Sequence, residues 1–114
     1  MEVTLSTRDG FTVATTQGVL DDSAKEPFRE KLHPLIGEKG TKLIVDLSGS
    51  PRVSSPGIGN MVALNADANT NNSHVVFCNM QPYVKMVVSV TKLDRFFNIS
   101  ADLDAAVEWC KQQQ

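Results

Sequence analysis

Residues 43–47 read Leu-Ile-Val-Asp-Leu, an apolar run broken only by Asp46, and a Ser-Ser-Pro-Gly corner follows at Ser54, Ser55, Pro56 and Gly57. A continuous short apolar run is the pattern of a central strand covered on both faces. The corner after it has the composition of a helix opening, because serine caps and proline tolerates a first turn. A buried strand that feeds a helix is the unit from which α/β sheets are built.

The rest of the chain repeats that alternation. Val3 and Leu5, then Phe11 and Val13, alternate with polar neighbours around Asp9-Gly10, a hairpin signal. After a connector over 17–22, Ser23 and Glu26 have capping-box spacing. Phe28, Leu32, Leu35 and Ile36 then share one helical face. Pro27 suits a first-turn position if Glu26 is the cap, and Pro34 should kink or end this helix. Ile58, Met61, Val62 and Ala66 predict a second helix, ended by an Asn-rich tail. His74–Cys78 reads as another apolar strand. Pro82 opens a third helix, with Val84, Val87, Val88 and Thr91 on one face. Phe96–Ile99 reads as a short strand. Ser100 is the expected cap of a last helix carrying Leu103, Ala106, Val107 and Cys110, and the end over 111–114 is expected to fray. The order β-β-α-β-α-β-α-β-α implies a largely parallel sheet with right-handed crossovers, in one domain over 1–114.

Bulk properties narrow the function. A net charge of −2 argues against the basic face of a nucleic-acid binder. No apolar run is long enough for a membrane span, and the N-terminus lacks a basic and apolar leader. A cytoplasmic protein is expected. Cys78 and Cys110 sit in apolar patterns without a CxxC or histidine partner, which predicts buried thiols in a reducing compartment.

The corner admits several chemistries, and most fail. Ser54 and Ser55 lie between strand and helix, but the G-x-S-x-G of an esterase elbow is absent. His33 and His74 have no acidic orienter nearby in sequence. Ser-Ser-Pro-Gly-Ile-Gly matches neither phosphate-loop pattern, and Pro56 removes an N–H from any anion nest. Asp21-Asp22 and Asp102-x-Asp104 lack the spacing of a metal loop and suit helix starts instead. No metal, cofactor or catalytic group is expected. What remains is capping, with Ser55 at the N-cap and Pro56 at the first helical position. Gly57 and Gly59 would let the helix start approach the sheet or expose backbone to a partner. Asp46 is expected to accept hydrogen bonds from the following loop, as a carboxylate in an apolar strand requires.

The segment from Leu43 to Gly59, L-I-V-D-L-S-G-S-P-R-V-S-S-P-G-I-G, resembles the signature of STAS domains, the sulphate-transporter and anti-sigma-factor-antagonist family. The resemblance continues through Met80-Gln81-Pro82-Tyr83-Val84, through V-T-K-L-D-R-F-F ending at Phe97, and into the helix around Leu103–Val107. It implies a small, mostly parallel mixed sheet of about five strands with about four helices mainly on one face. It implies binding rather than turnover: capture of an anti-sigma factor, often a serine kinase, in a partner switch that regulates transcription. In the family, phosphorylation of a serine at the second helix turns capture off. An ungapped alignment puts Ser54 on the family's Asp, Ser55 on the first Ser, and Pro56 on the phosphoacceptor.

The expected contact edge is therefore Ser54, Ser55, Pro56, Gly57 and Ile58, with Asn60 on the solvent side of the helix and Asp21 and Asp22 nearby. The alternatives are a phospho-switch on Ser55 or Ser54, or a small-ligand-binding domain of the same fold. A monomer or weak dimer is expected.

Overall fold

The structure is a computed structural model and describes residues 1–113. Strands β1 (Glu2–Arg8) and β2 (Phe11–Gln17) form an antiparallel hairpin. Asp9 and Gly10 both have positive φ, 53° and 84°, which is the two-residue turn that matches strand twist. A composite helix α1 covers 22–36. Then come β3 (Lys42–Gly49), α2 (Ser55–Thr70), β4 (His74–Cys78), α3 (Pro82–Val90), β5 (Asn98–Ser100) and α4 (Leu103–Lys111). The sheet order is β1-β2-β3-β4-β5, with every pair after the hairpin parallel. This is the five-stranded mixed α/β sheet with four helices that the alternation predicts.

The strand period distributes the core between two faces. Leu43, Val45 and Leu47 of β3 join Val75 and Phe77 of β4 on one face. There they meet Phe28, Leu32 and Ile36 of α1, Met61 and Leu64 of α2, and Val84 and Val88 of α3. Ile44, Val13, Val76 and Cys78 point the other way and meet Ala106, Val107 and Cys110 of α4, with Phe11, Leu103 and Trp109 packed around them. Both cysteines are buried free thiols, and desolvation pushes them up to about 12 for Cys78 and about 11 for Cys110.

Three local expectations give way to tertiary constraints. The α1 cap is Asp21, whose carboxylate accepts the Ser23 N–H at 2.9 Å, so Ser23 and Glu26 form no capping box. Pro34 does not end the helix. The turn ahead of it, Phe28–Leu32, widens to a π-helix whose closing bond runs from the His33 N–H to the Phe28 carbonyl, and the helix continues to Ile36. That wide turn accommodates a ring that would otherwise crowd a preceding carbonyl. The last strand starts at Asn98, because the Phe96 and Phe97 amides are taken by the Leu93 carbonyl, each at 2.9 Å. Ser100 pairs with Cys78 in the sheet, and Asp102 caps α4 by accepting the Ala105 N–H at 2.9 Å. Lys111 still belongs to α4, so the expected fraying does not reach it, and Gln114 lies outside the described residues.

Candidate docking corner

The loop from β3 to α2 is laid along the connector from β2 to α1. The Gly18 N–H reaches the Gly49 carbonyl at 3.0 Å, the Leu20 N–H the Arg52 carbonyl at 3.0 Å, and the Ser54 N–H the Leu20 carbonyl at 2.8 Å. Leu20 and Val53 form a parallel bridge. Thr16 and Ser50 share a buried hydroxyl–hydroxyl bond of 2.7 Å beneath it. A Cβ on Gly57 would lie 1.8 Å from the Leu20 carbonyl oxygen, so only glycine permits this approach. The close contact is with the connector rather than with the sheet. Gly59, by contrast, has open space where a Cβ would go.

These bonds decide the roles of the two serines. Ser54, not Ser55, is the N-cap. Its backbone is extended (φ −107°, ψ 174°) because the bond to Leu20 and the Val53 bridge hold it there. Its hydroxyl accepts the Gly57 N–H at 3.4 Å and donates to the Leu20 carbonyl at 3.4 Å. Ser55 is then the first helical residue and Pro56 the second. The missing proline N–H is one that a helix start leaves unpaired in any case. Ser55 and Pro56 are exposed, Ser54 and Ile58 are half-buried, and Gly57 is buried.

Asn60 is not on the solvent side. It is half-buried, and its amide donates to the Asp21 carbonyl at 3.0 Å. It lies three residues beyond Gly57 and so faces the same connector. Asp21 is thereby brought to the corner, and Asp22 follows it, exposed. Hydrogen bonds from the Ser23 hydroxyl and amide lower the Asp21 carboxyl below its ordinary value. Asp46 accepts from the Ser48 N–H at 3.0 Å, as expected, and also from the Asn79 side chain at 3.1 Å. Gln81 adds a bond of 2.6 Å to the Ser48 carbonyl, so the loops after β3 and β4 are tied together.

Beside the corner, α2 and α3 enclose an open groove of about 340 Å³ lined by Val53, Ser54, Ser55, Ile58, Tyr83 and Val87. The Arg52 guanidinium lies 5.7 Å from the Tyr83 ring centroid at its rim. Along the outside of α3, Tyr83, Met86 and Val90 are 43%, 52% and 75% exposed. The sequence reading missed this second apolar stripe. Its signal was present, since Tyr83, Met86 and Val90 recur at helical spacing next to the buried Val84 and Val88. His33 does have an acidic neighbour in space: its Nδ1 lies 2.7 Å from Asp67, joining α1 to α2. His74 packs edge-on against Trp109 instead. Neither histidine is bonded to a serine.

A five-stranded mixed sheet in this order, with three helices on one face and one on the other, defines a class of small α/β domains. The STAS domain model matches residues 2–106, and the chain belongs to that family. BtrV of Bordetella bronchiseptica is 22% identical over 106 residues, spanning 93% of this chain and 91% of its own. An anti-sigma factor antagonist from Mycobacterium paratuberculosis superimposes with a TM-score of 0.83 at 18% identity, over 97% of this chain and 94% of that one. An RsbS variant from Moorella thermoacetica gives a TM-score of 0.79 at 21% identity, over 97% and 96%. Among the described residues, no helix is long and apolar enough to cross a membrane.

Proposed function

We propose that this chain is an anti-sigma factor antagonist that acts by binding and performs no chemistry. Its partner is an anti-sigma factor with serine-kinase character. The contact surface is the corner from Ser54 to Ile58, extended by Asp22 on one side and by the groove and the Tyr83–Met86–Val90 stripe on the other. One observation carries this reading: large apolar side chains stand exposed beside a backbone corner that is rigidly buried on its inner side. Exposed aromatic and aliphatic residues next to a pre-ordered edge are what a docking surface supplies.

In the ungapped alignment to the family signature Pro56, which has no hydroxyl, falls on the phosphoacceptor position, and on that ground capture is constitutive. Calorimetric titration with each purified serine-kinase anti-sigma factor of the host tests it. The expected result is a complex whose affinity and intact mass do not change after incubation with ATP. The absence of any complex overturns the function, and one added phosphate overturns the constitutive version.

A second reading is favoured by one detail. The Ser55 hydroxyl is exposed and has no side-chain hydrogen bond among the described residues, whereas the Ser54 hydroxyl is engaged. In that reading Ser55 takes over as phosphoacceptor, and peptide mapping after the ATP incubation would find the phosphate there.

A further inference from the structure

We propose that the free edge of the sheet is a self-association surface: β1 of one copy pairs antiparallel with β1 of a second copy, about a two-fold axis through Leu5. The surface is distinct from the corner, none of whose residues lies on β1.

The backbone supplies the donors and acceptors. A two-residue turn is closed by a hydrogen-bonded pair, here Arg8 with Phe11, and bonded pairs then alternate along the hairpin. Even-numbered residues of β1 therefore bond to β2, and the N–H and C=O groups of Val3, Leu5 and Thr7 point away from the sheet. One contact corroborates this: the Val3 carbonyl accepts from the Lys31 ammonium at 2.8 Å, from outside the ladder. A carbonyl has two lone pairs, so that contact leaves room for an N–H.

The edge lacks two of the usual defences. It runs for seven residues without proline or bulge, and it pairs in unbroken register with β2. Leu5, on the helix-bearing face with Val3, is 43% exposed.

Only one antiparallel register pairs all seven residues. With Leu5 opposite Leu5, Val3 faces Thr7 of the second copy, Thr4 faces Ser6, and Glu2 faces Arg8 of the second copy. The bonded pairs are those of residues 3, 5 and 7, the ones whose groups point outward. A parallel pairing in register would instead set Glu2 against Glu2 and Arg8 against Arg8. Among the described residues Arg8 is held only by Asp104, in a pair exposed on both sides and therefore weak. On the helix side, Thr7 of the second copy enters an open cavity of about 330 Å³ lined by Met1, Val3, Pro27, Glu30 and Lys31. A contact of one strand's length gives a weak, reversible dimer.

Sedimentation velocity of the full chain, from low micromolar to near-millimolar concentration, is expected to show monomer–dimer exchange. Leu5→Lys is expected to abolish it while far-UV circular dichroism stays native. Glu2→Arg or Arg8→Glu alone is expected to weaken association about tenfold, and the double exchange to restore it. Leu5→Cys is expected to form a disulfide dimer under mild oxidation, because Cα atoms of a bonded antiparallel pair lie about 5.5 Å apart, within disulfide reach. Ser6→Cys, off the axis, is expected not to. A chain that stays monomeric throughout, a dimer that survives Leu5→Lys, or a double exchange that fails to restore association overturns the proposal.

Discussion

Two helix starts in this molecule are built on opposite principles. Helix α4 opens on Asp102, with Asp104 in its first turn, so carboxylates face the positive end of its dipole. Helix α2 opens on Ser54 and has no acid in its first turn. Its fixity comes from backbone bonds to the connector and from the glycine contact at Gly57. The α4 start is optimised where it stands. The α2 start is held by backbone contacts instead and has no first-turn acid to answer its charge, so one fold fixes two helix starts by different means.

The comparison breaks most readily at Gly57. Gly57→Ala should cost about 3 kcal/mol or more, because the methyl group collides with backbone rather than with a pliable side chain. Gly59→Ala, in open space, should instead stabilise by up to about 1 kcal/mol. Urea midpoints of the two variants would show opposite signs, and equal effects would remove the argument for connector locking.

The α4 side can be probed by pH. Both thiols have folded values raised above their ordinary 9.0, to about 12 for Cys78 and about 11 for Cys110. Above pH 9.0 the unfolded chain releases those protons while the native state retains them. Their contribution is thus fully present below pH 9.0 and declines as the pH rises toward 11 and 12. Urea denaturation across that range should show falling stability, with a shallower slope in Cys110→Ala.

Smaller effects separate the caps. Asp102→Ala should lose about 1 kcal/mol, and more than Ser54→Ala, whose hydroxyl bond is long. Smallest is Ser55→Asp, where a charge at the unanswered end of α2 should raise stability by about 0.5 kcal/mol in thermal melts and fade with added salt.

Much of the architecture was legible in the chain. Leu43–Leu47, the Asp9-Gly10 turn and the periodicity of Ile58, Met61 and Val62 depend on local pattern, and local pattern survives folding. The errors share a cause. Ser55, Ser23 and Ser100 were reasonable caps by residue type, but Ser54 is fixed by Leu20, Ser23 is engaged by Asp21, and Ser100 is claimed by β4. Each is decided by a residue's partners, which spacing alone does not reveal. Asn60 was misplaced for the same reason, because the connector that it grips lies 39 residues away in the chain. The exposed stripe on α3 was hidden differently: a helix that is apolar nearly all round does not announce which side stays uncovered.

The spatial order of the strands is also their order of synthesis. As the polypeptide leaves the ribosome, each new strand can add to the one before it without waiting for anything downstream. The rear of that growing sheet, with Val13, Ile44 and Val76, stays bare until Ala106, Val107 and Cys110 emerge. Nascent chains stalled before that point would carry a greasy, unshielded plane, and are the forms in which chaperone binding and aggregation should concentrate.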